Sequence, residues 1–302
     1  MEKPVKATCY KDIYQEVTET VIKLLEEGTV IWQCSWYQRG WPKNHLTQLH
    51  YRGWNLFFLN FHAERKGYPT ANYLTFKQAN QLGGTIKKGE KGVKIIYWAT
   101  IKPKEDENAT IESEDSKKSK LVPKTYIVFN IAQTEGIEFP TIIPIIKSQN
   151  EKIAACEDVV ERMPNPPKMQ YDGDCAYYQP LQDTVVVPPL EKSIGAEEYY
   201  STLFHELAHS TGHSTRLNRK ELMQTDGFGK VNYAKEELTA EMTAAYLCAI
   251  TGIGQPTIEN SAAYIDNWLT VLKKDKTLII KAASQAQKAA DFILNEQVVC
   301  EL

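Results

Sequence analysis

Long apolar runs are missing from this chain. The longest, within residues 141–146 and 183–189, fall far short of the ~20 residues a membrane helix needs, so no membrane partner is expected. Met1-Glu2-Lys3-Pro4 opens without the apolar stretch of a secretory signal. Cysteine is sparse: Cys9, Cys34, Cys156, Cys175, Cys248 and Cys300 lie far apart, with no Cys-x-x-Cys pair. That spacing argues against a cysteine zinc site or a disulfide framework and predicts reduced thiols in the cytoplasm. Neither a Gly-x-x-x-x-Gly-Lys phosphate loop nor a dinucleotide fingerprint occurs, so no nucleotide cofactor is expected. Lys88-Gly89-Glu90-Lys91-Gly92 is glycine-punctuated at a different spacing and reads as a basic β-turn. What is present suits a folded protein: 302 residues, 42 % apolar and 24 % charged, a length that predicts two domains.

The net charge of −3 hides an asymmetry. From Trp32 to Lys104 there are twelve Lys or Arg against Glu64 and Glu90, a local +10. Five of the six tryptophans (Trp32, Trp36, Trp41, Trp54, Trp98) lie in the same stretch. Cations neutralise phosphates and release counterions, while aromatic faces stack on bases without reading their sequence. The composition therefore fits a single-strand nucleic-acid surface, with Trp32, Trp36, Trp41 and Trp54 as stacking candidates. Arg39, Arg52, Lys87, Lys88 and Lys91 are the candidate backbone contacts. The competing reading makes the aromatics core and the lysines a solvated rim.

Periodicity predicts a helix over 12–25, a buried helix over 53–65 and a short helix over 75–82 capped by Thr75. Strands follow at 92–101 and 124–132, joined by a polar segment, 102–120, that reads as a disordered hairpin loop. The proline-marked stretch 139–147 is the expected domain boundary, dividing 1–145 from 146–302. Beyond it come a helix at 150–163, a hairpin of 170–179 with 183–187, and helices at 196–211, 233–250, 261–273 and 276–294. The expected class is α+β, with a small sheet against several helices.

The chemistry concentrates in Phe204-His205-Glu206-Leu207-Ala208-His209. Residues four apart share a helix face, so His205 and His209 can present ring nitrogens to one metal ion. Glu206 then stands beside it to take a proton from metal-bound water. Three of six histidines (His205, His209, His213) fall within nine residues. A peptidase-type site needs a third protein ligand. The helix Tyr233–Glu241 offers Glu237, with Glu241 either orienting a histidine N–H or taking the ligand position itself. Glu236 points about 100° away and is expected in solvent. His213 follows Gly212, which interrupts the helix. It is an alternative ligand, a residue at the rim of the site, or a cation at the helix end.

These residues and several others resemble the ArdC-type antirestriction proteins. The N-terminal resemblance rests on Gly28–Trp36, Tyr51-Arg52-Gly53-Trp54-Asn55, Leu74 to Ala79, Gly83-Gly84, Lys88 to Gly92 and Val128-Phe129-Asn130. In the second half it rests on Tyr177-Tyr178, Pro188-Pro189, Tyr200 to His213 with Arg216-Leu217, Glu236-Glu237-Leu238 with Ala240-Glu241, and Trp268-Leu269. It covers nearly all the chain except the 102–120 loop and the extreme N-terminus. The resemblance implies a mobile-element protein that shields incoming DNA from host restriction. It implies a single-stranded-DNA-binding domain followed by a zincin-like metallopeptidase domain related to proteases that act on DNA-bound proteins, and the first hypothesis is a peptidase that cleaves a protein bound to the same strand. His205 and His209 would be ligands and Glu206 the base, with Zn2+ as metal and Mn2+ or another divalent ion as alternatives. A second hypothesis is a DNA-coating protein whose metal is only structural.

Overall fold

The computed structural model describes residues 12–33, 39–101, 120–139, 147–223, 231–254 and 261–296. Trp36, most of the 102–120 loop and most of the expected boundary segment lie outside them. The first half runs α1 (Ile13–Glu26), β1 (Lys43–Asn44), α2 (Trp54–Arg65), β2 (Asn72–Leu74), α3 (Phe76–Gln81), β3 (Thr85–Ile86), β4 (Val93–Ile101), β5 (Lys120–Asn130) and β6 (Thr134–Glu135). The second runs α4 (Gln149–Arg162), β7 (Lys168–Tyr171), β8 (Tyr177–Gln179), β9 (Thr184–Val187), α5 (Ala196–Ser210), α6 (Lys220–Met223), α7 (Val231–Thr251), α8 (Ser261–Leu272) and α9 (Leu278–Ile293).

Local chemistry sets several of these boundaries. Asp12 caps α1, its carboxylate accepting the Tyr14 N–H at 3.1 Å. Thr75 with Gln78 closes a capping box on α3, and Ser148 with Glu151 closes one on α4. In the first half the strand order is β1-β2-β5-β4, and β4 pairs antiparallel with β5 from Val93↔Val128 to Ile101↔Lys120. A short ribbon of β3 and β6 stands beside it.

The expected hairpin of 170–179 with 183–187 forms only in its inner part, where 177–179 pair antiparallel with β9. Asp172-Gly173-Asp174 turns, with Gly173 at φ 77°, and splits the first run in two. Residues 168–171 pair parallel to β9 on one side, while 177–179 pair antiparallel on the other, giving the order β7-β9-β8. β9 (Thr-Val-Val-Val) is buried at every position because it is the central strand. β8 is left at the sheet edge, where its residues line the cavity above α5.

One apolar core crosses the expected boundary. Val17, Val21, Trp32, Trp54 and Phe57 from the first half pack in the same cluster as Leu203, Leu247, Trp268, Leu278 and Ile279 from the second. Trp32 meets Trp268 edge to face, with centroids 5.3 Å apart. Polar ties follow the same seam: Thr18 Oγ1 donates to Lys276 O at 2.7 Å and Gly53 N donates to Gln287 Oε1 at 3.1 Å. A smaller cluster under the β4–β5 ribbon (Leu59, Tyr73, Ile95, Val128) belongs to the first half alone. α7 is buried along almost its whole length from Ala234 to Ala249, and that holds it rigidly across α5.

Candidate metal centre

α5 carries His205 and His209 one turn apart on a single face, with Glu206 beside them. The helix is anchored by Tyr200, Leu203, Phe204 and Leu207, all in the core. α7 crosses it and delivers Glu237. One nitrogen from each histidine and a Glu237 carboxylate oxygen lie within 4.8 Å of one another. His205 Nε2 and His209 Nε2 are 3.0 Å apart, and Glu237 reaches them at 3.4 and 3.3 Å.

The other ring nitrogens are occupied by carboxylates. Glu241 lies 3.1 Å from His205 Nδ1 and Glu236 lies 3.2 Å from His209 Nδ1. An ionised carboxylate accepts only, so Nδ1 keeps its proton in each ring and Nε2, once deprotonated, is the nitrogen each ring can offer a metal. Two imidazoles and one carboxylate, each with its ring tautomer fixed, form a donor set that fits zinc, and manganese also accepts such ligands.

The field points the same way. Glu206, Glu236, Glu237 and Glu241 are all buried and Arg219 is the buried cation among them, so with neutral histidines the site carries excess negative charge. Burial alone would lower His209, but the Glu237 charge and the two carboxylate bonds hold it up at about 9. His205 is raised against burial by Glu237 and Glu241. Burial pushes Glu236 up, but the Arg219 guanidinium and His209 bring it down to about 2. Glu237 is likewise held down against burial by the two histidines. A cavity of about 320 Å³, walled by Tyr177, Tyr178, Leu222 and Tyr233, opens onto His205, Glu206, His209 and Glu237.

Two expectations change here. Glu236 is not in solvent: α7 has almost no solvent face, and Glu236 lies between Arg219 and His209. Helix spacing carries no sign of this, because Arg219 sits in the irregular segment after α5. His213 stays outside the cluster, its Nδ1 2.9 Å from Thr215 Oγ1 and 4.0 Å from Asp183. The tight turn after Ser210 carries it away from the His205–His209 face.

Comparison with known proteins follows this geometry closely. Residues 11–129 match the model for the N-terminal domain of the anti-restriction factor ArdC, and 159–285 match a zincin-like metallopeptidase model. The crystal structure of the antirestriction protein ArdC from plasmid R388, solved metal-free, superposes with a TM-score of 0.73 at 35 % identity. The match covers 94 % of this chain and 97 % of that one. The chain belongs to the ArdC antirestriction family.

The Mn(II)-bound structure of the R388 protein matches with a TM-score of 0.74 at 34 % identity, over 94 % of this chain and 98 % of that one. Sequence relatives include the uncharacterised protein y4eC of Sinorhizobium fredii, 31 % identical over 95 % of this chain and 92 % of its own length. Two Escherichia coli DNA primases named TraC are 29 % and 31 % identical over 94 % of the chain, which spans only 20 % and 27 % of their lengths.

Several candidates in the ArdC-type N-terminal half are redirected by packing. Trp32 is fully buried, and Trp54 is buried and stacked on Phe58, so neither offers a face to a base. Trp41 is half-buried against Tyr246 at 5.0 Å. Arg39 donates through Nε to Tyr68 O at 3.0 Å and approaches Glu64, a structural role. Arg52 reaches across to Asp291 on α9. Lys87, Lys88 and Lys91 are exposed on the turn before β4, with Lys87 Nζ 2.9 Å from Ala132 O. Exposed aromatics of this half include Tyr97, Trp98 and Tyr126 on the outer part of the β4–β5 ribbon, besides Phe76 and Phe139. The period-2 alternation of the two strands is the signal in the sequence that places Tyr97, Trp98 and Tyr126 on the ribbon's faces. Among the described residues no helix is long and apolar enough to cross a membrane.

Proposed function

We propose that this protein binds single-stranded DNA through its N-terminal half and acts as a metal-dependent peptidase at the α5–α7 site, protecting transferred DNA from restriction. The observation that carries the peptidase reading is the convergence of His205 Nε2, His209 Nε2 and Glu237 beside Glu206, at the floor of an open cavity. Structural zinc sites are closed by four protein ligands, whereas three donors with an adjacent carboxylate suit catalysis. A divalent ion held by His205, His209 and Glu237 would supply Lewis-acid polarisation of a carbonyl and would lower the pKa of a water toward neutrality. Glu206 accepts the water's proton on its carboxylate and returns it to the leaving amine. Glu237 fixes the third ligand position, while Glu241 and Glu236 hold the two imidazoles in register. Zinc is the expected metal, with Mn(II) as the alternative that the R388 relative supports.

For DNA, support comes from the β4–β5 ribbon. Tyr97 and Tyr126 lie on one face, 47 % and 46 % exposed, with ring centroids 5.8 Å apart. Lys124 stands directly opposite Tyr97, and the described ribbon carries lysines but no acidic residue. Such a face can stack bases while its cations meet the phosphates.

Glu206→Gln tests the reading, because it removes the base and leaves all three donors. Hydrolysis of the protein substrate should fall ~10²–10⁴-fold with metal content unchanged, and protection against restriction should be lost. Protection that survives in the variant would refute the peptidase role and leave a DNA-coating protein.

A further inference from the structure

Glu236 and Glu237 are neighbours on α7, both are buried and both touch His209, yet only one can serve as the third donor. Glu237 reaches His209 Nε2, on the side of the ring shared with His205. Glu236 sits behind the ring, at Nδ1. What separates their roles is Arg219, whose side chain is 2 % exposed. Its Nε donates to Glu236 Oε2 at 2.9 Å and its Nη2 to Glu236 Oε1, a forked pair that occupies both carboxylate oxygens. The remaining N–H groups grip the end of α5: Nη2 donates to Ala208 O at 2.8 Å and Nη1 to Thr211 Oγ1 at 2.6 Å. One guanidinium therefore ties Glu236 to the same helix turn that carries His209.

Room for it is made by Gly212. A Cβ there would lie 3.0 Å from Arg219 Nη2, 3.1 Å from its Cζ and 2.8 Å from Leu222 Cδ2. Gly212 has an ordinary backbone conformation, so close approach of Arg219 and Leu222 is what excludes a side chain.

We infer that Arg219 is a positioning residue for the metal centre: by clamping Glu236 behind His209 it keeps that carboxylate off the metal position, holds the ring in register and leaves Glu237 as the third donor. The inference rests on the metal-site reading above. Lysine could not replace this function, since a point charge cannot hold two oxygens in a fixed plane.

The test is metal affinity on the full chain, titrating Zn(II) and, separately, Mn(II) against a competing chelator, with the fold of each metal-free variant checked by thermal melting. Arg219→Met should weaken both metals ~10–100-fold, the range for loss of a partner that orients a ligand. The double variant Arg219→Met with Glu236→Gln should recover most of that loss. Its neutral amide still accepts the His209 N–H and needs no countercharge. A purely structural role, through Ala208 and Thr211, would leave the double variant as weak as Arg219→Met. Affinity unchanged in Arg219→Met, or no recovery in the double variant, overturns the inference. Where Arg219→Met does not fold, the neutral Arg219→Gln, alone and paired with Glu236→Gln, is read in the same way. Wild type that takes up neither metal would instead refute the metal site itself, so the two failures are told apart on the parent protein.

Discussion

At the candidate metal centre ring nitrogens and a carboxylate from two helices meet within 4.8 Å, whereas the tryptophans of the basic stretch scatter between core and surface. The two regions differ in how a sequence encodes them. A four-residue spacing on a helix is a geometric statement, because the backbone puts His205 and His209 on one face whatever surrounds them. A basic, aromatic-rich composition says nothing of which way each ring points. Trp32 and Trp54 fill the core shared with α8 and α9, while Tyr97 and Tyr126, less conspicuous by composition, stand in solvent. Spacing fixes a geometry, and composition does not.

The largest effect that sharpens this contrast is on Trp32. Its truncation to alanine removes the edge-to-face partner of Trp268 in a fully buried position and should cost ~3–5 kcal/mol of stability by denaturant unfolding. Conditions that keep the variant folded should show DNA affinity close to wild type. A specific loss of DNA affinity at unchanged stability would put Trp32 back among the contacts.

Tyr97→Ala and Tyr126→Ala should behave in the opposite sense. Each should weaken single-stranded DNA binding by ~1–3 kcal/mol, while stability changes by no more than about 0.5 kcal/mol. Wild-type affinity should also fall with salt at a slope of ~−0.7 per phosphate contacted. Filter binding or fluorescence anisotropy at several salt concentrations reads both. Tyrosine variants that bind as wild type does would remove the ribbon from the interface.

The smallest expected effect concerns the seam between halves. Arg52→Ala deletes the partner of the buried Asp291 carboxylate, and chemical unfolding should show a loss of about 1–2 kcal/mol. The basic stretch would then owe part of its charge to folding. A stability change near zero together with weaker DNA binding would mean that Arg52 serves phosphates after all.

Much of the architecture is legible in the chain. The caps at Asp12, Thr75 and Ser148 mark helices that form where the periodicity puts them. His205 with His209 and Glu237 with Glu241 are brought together by i, i+4 spacing, and Glu206 is readable from its place beside His205. What was not legible depended on partners distant in sequence. Glu236 looks solvated from its own helix, and only the packing of α7 on α5 with Arg219 between them shows otherwise. The run from 170 to 179 looks like one strand until β9 pairs with both of its ends. A shared core hides in the same way, since Trp32 carries no mark of Trp268.

The most direct measurement is metal content by elemental analysis on wild type and Glu237→Ala, with single-stranded DNA binding measured on the same samples. The account predicts about one divalent ion per chain in wild type, little or none in Glu237→Ala, and equal DNA affinity in both. Metal retained at full occupancy in Glu237→Ala would contradict Glu237 as the third ligand, and a wild type that takes up no metal would contradict the site.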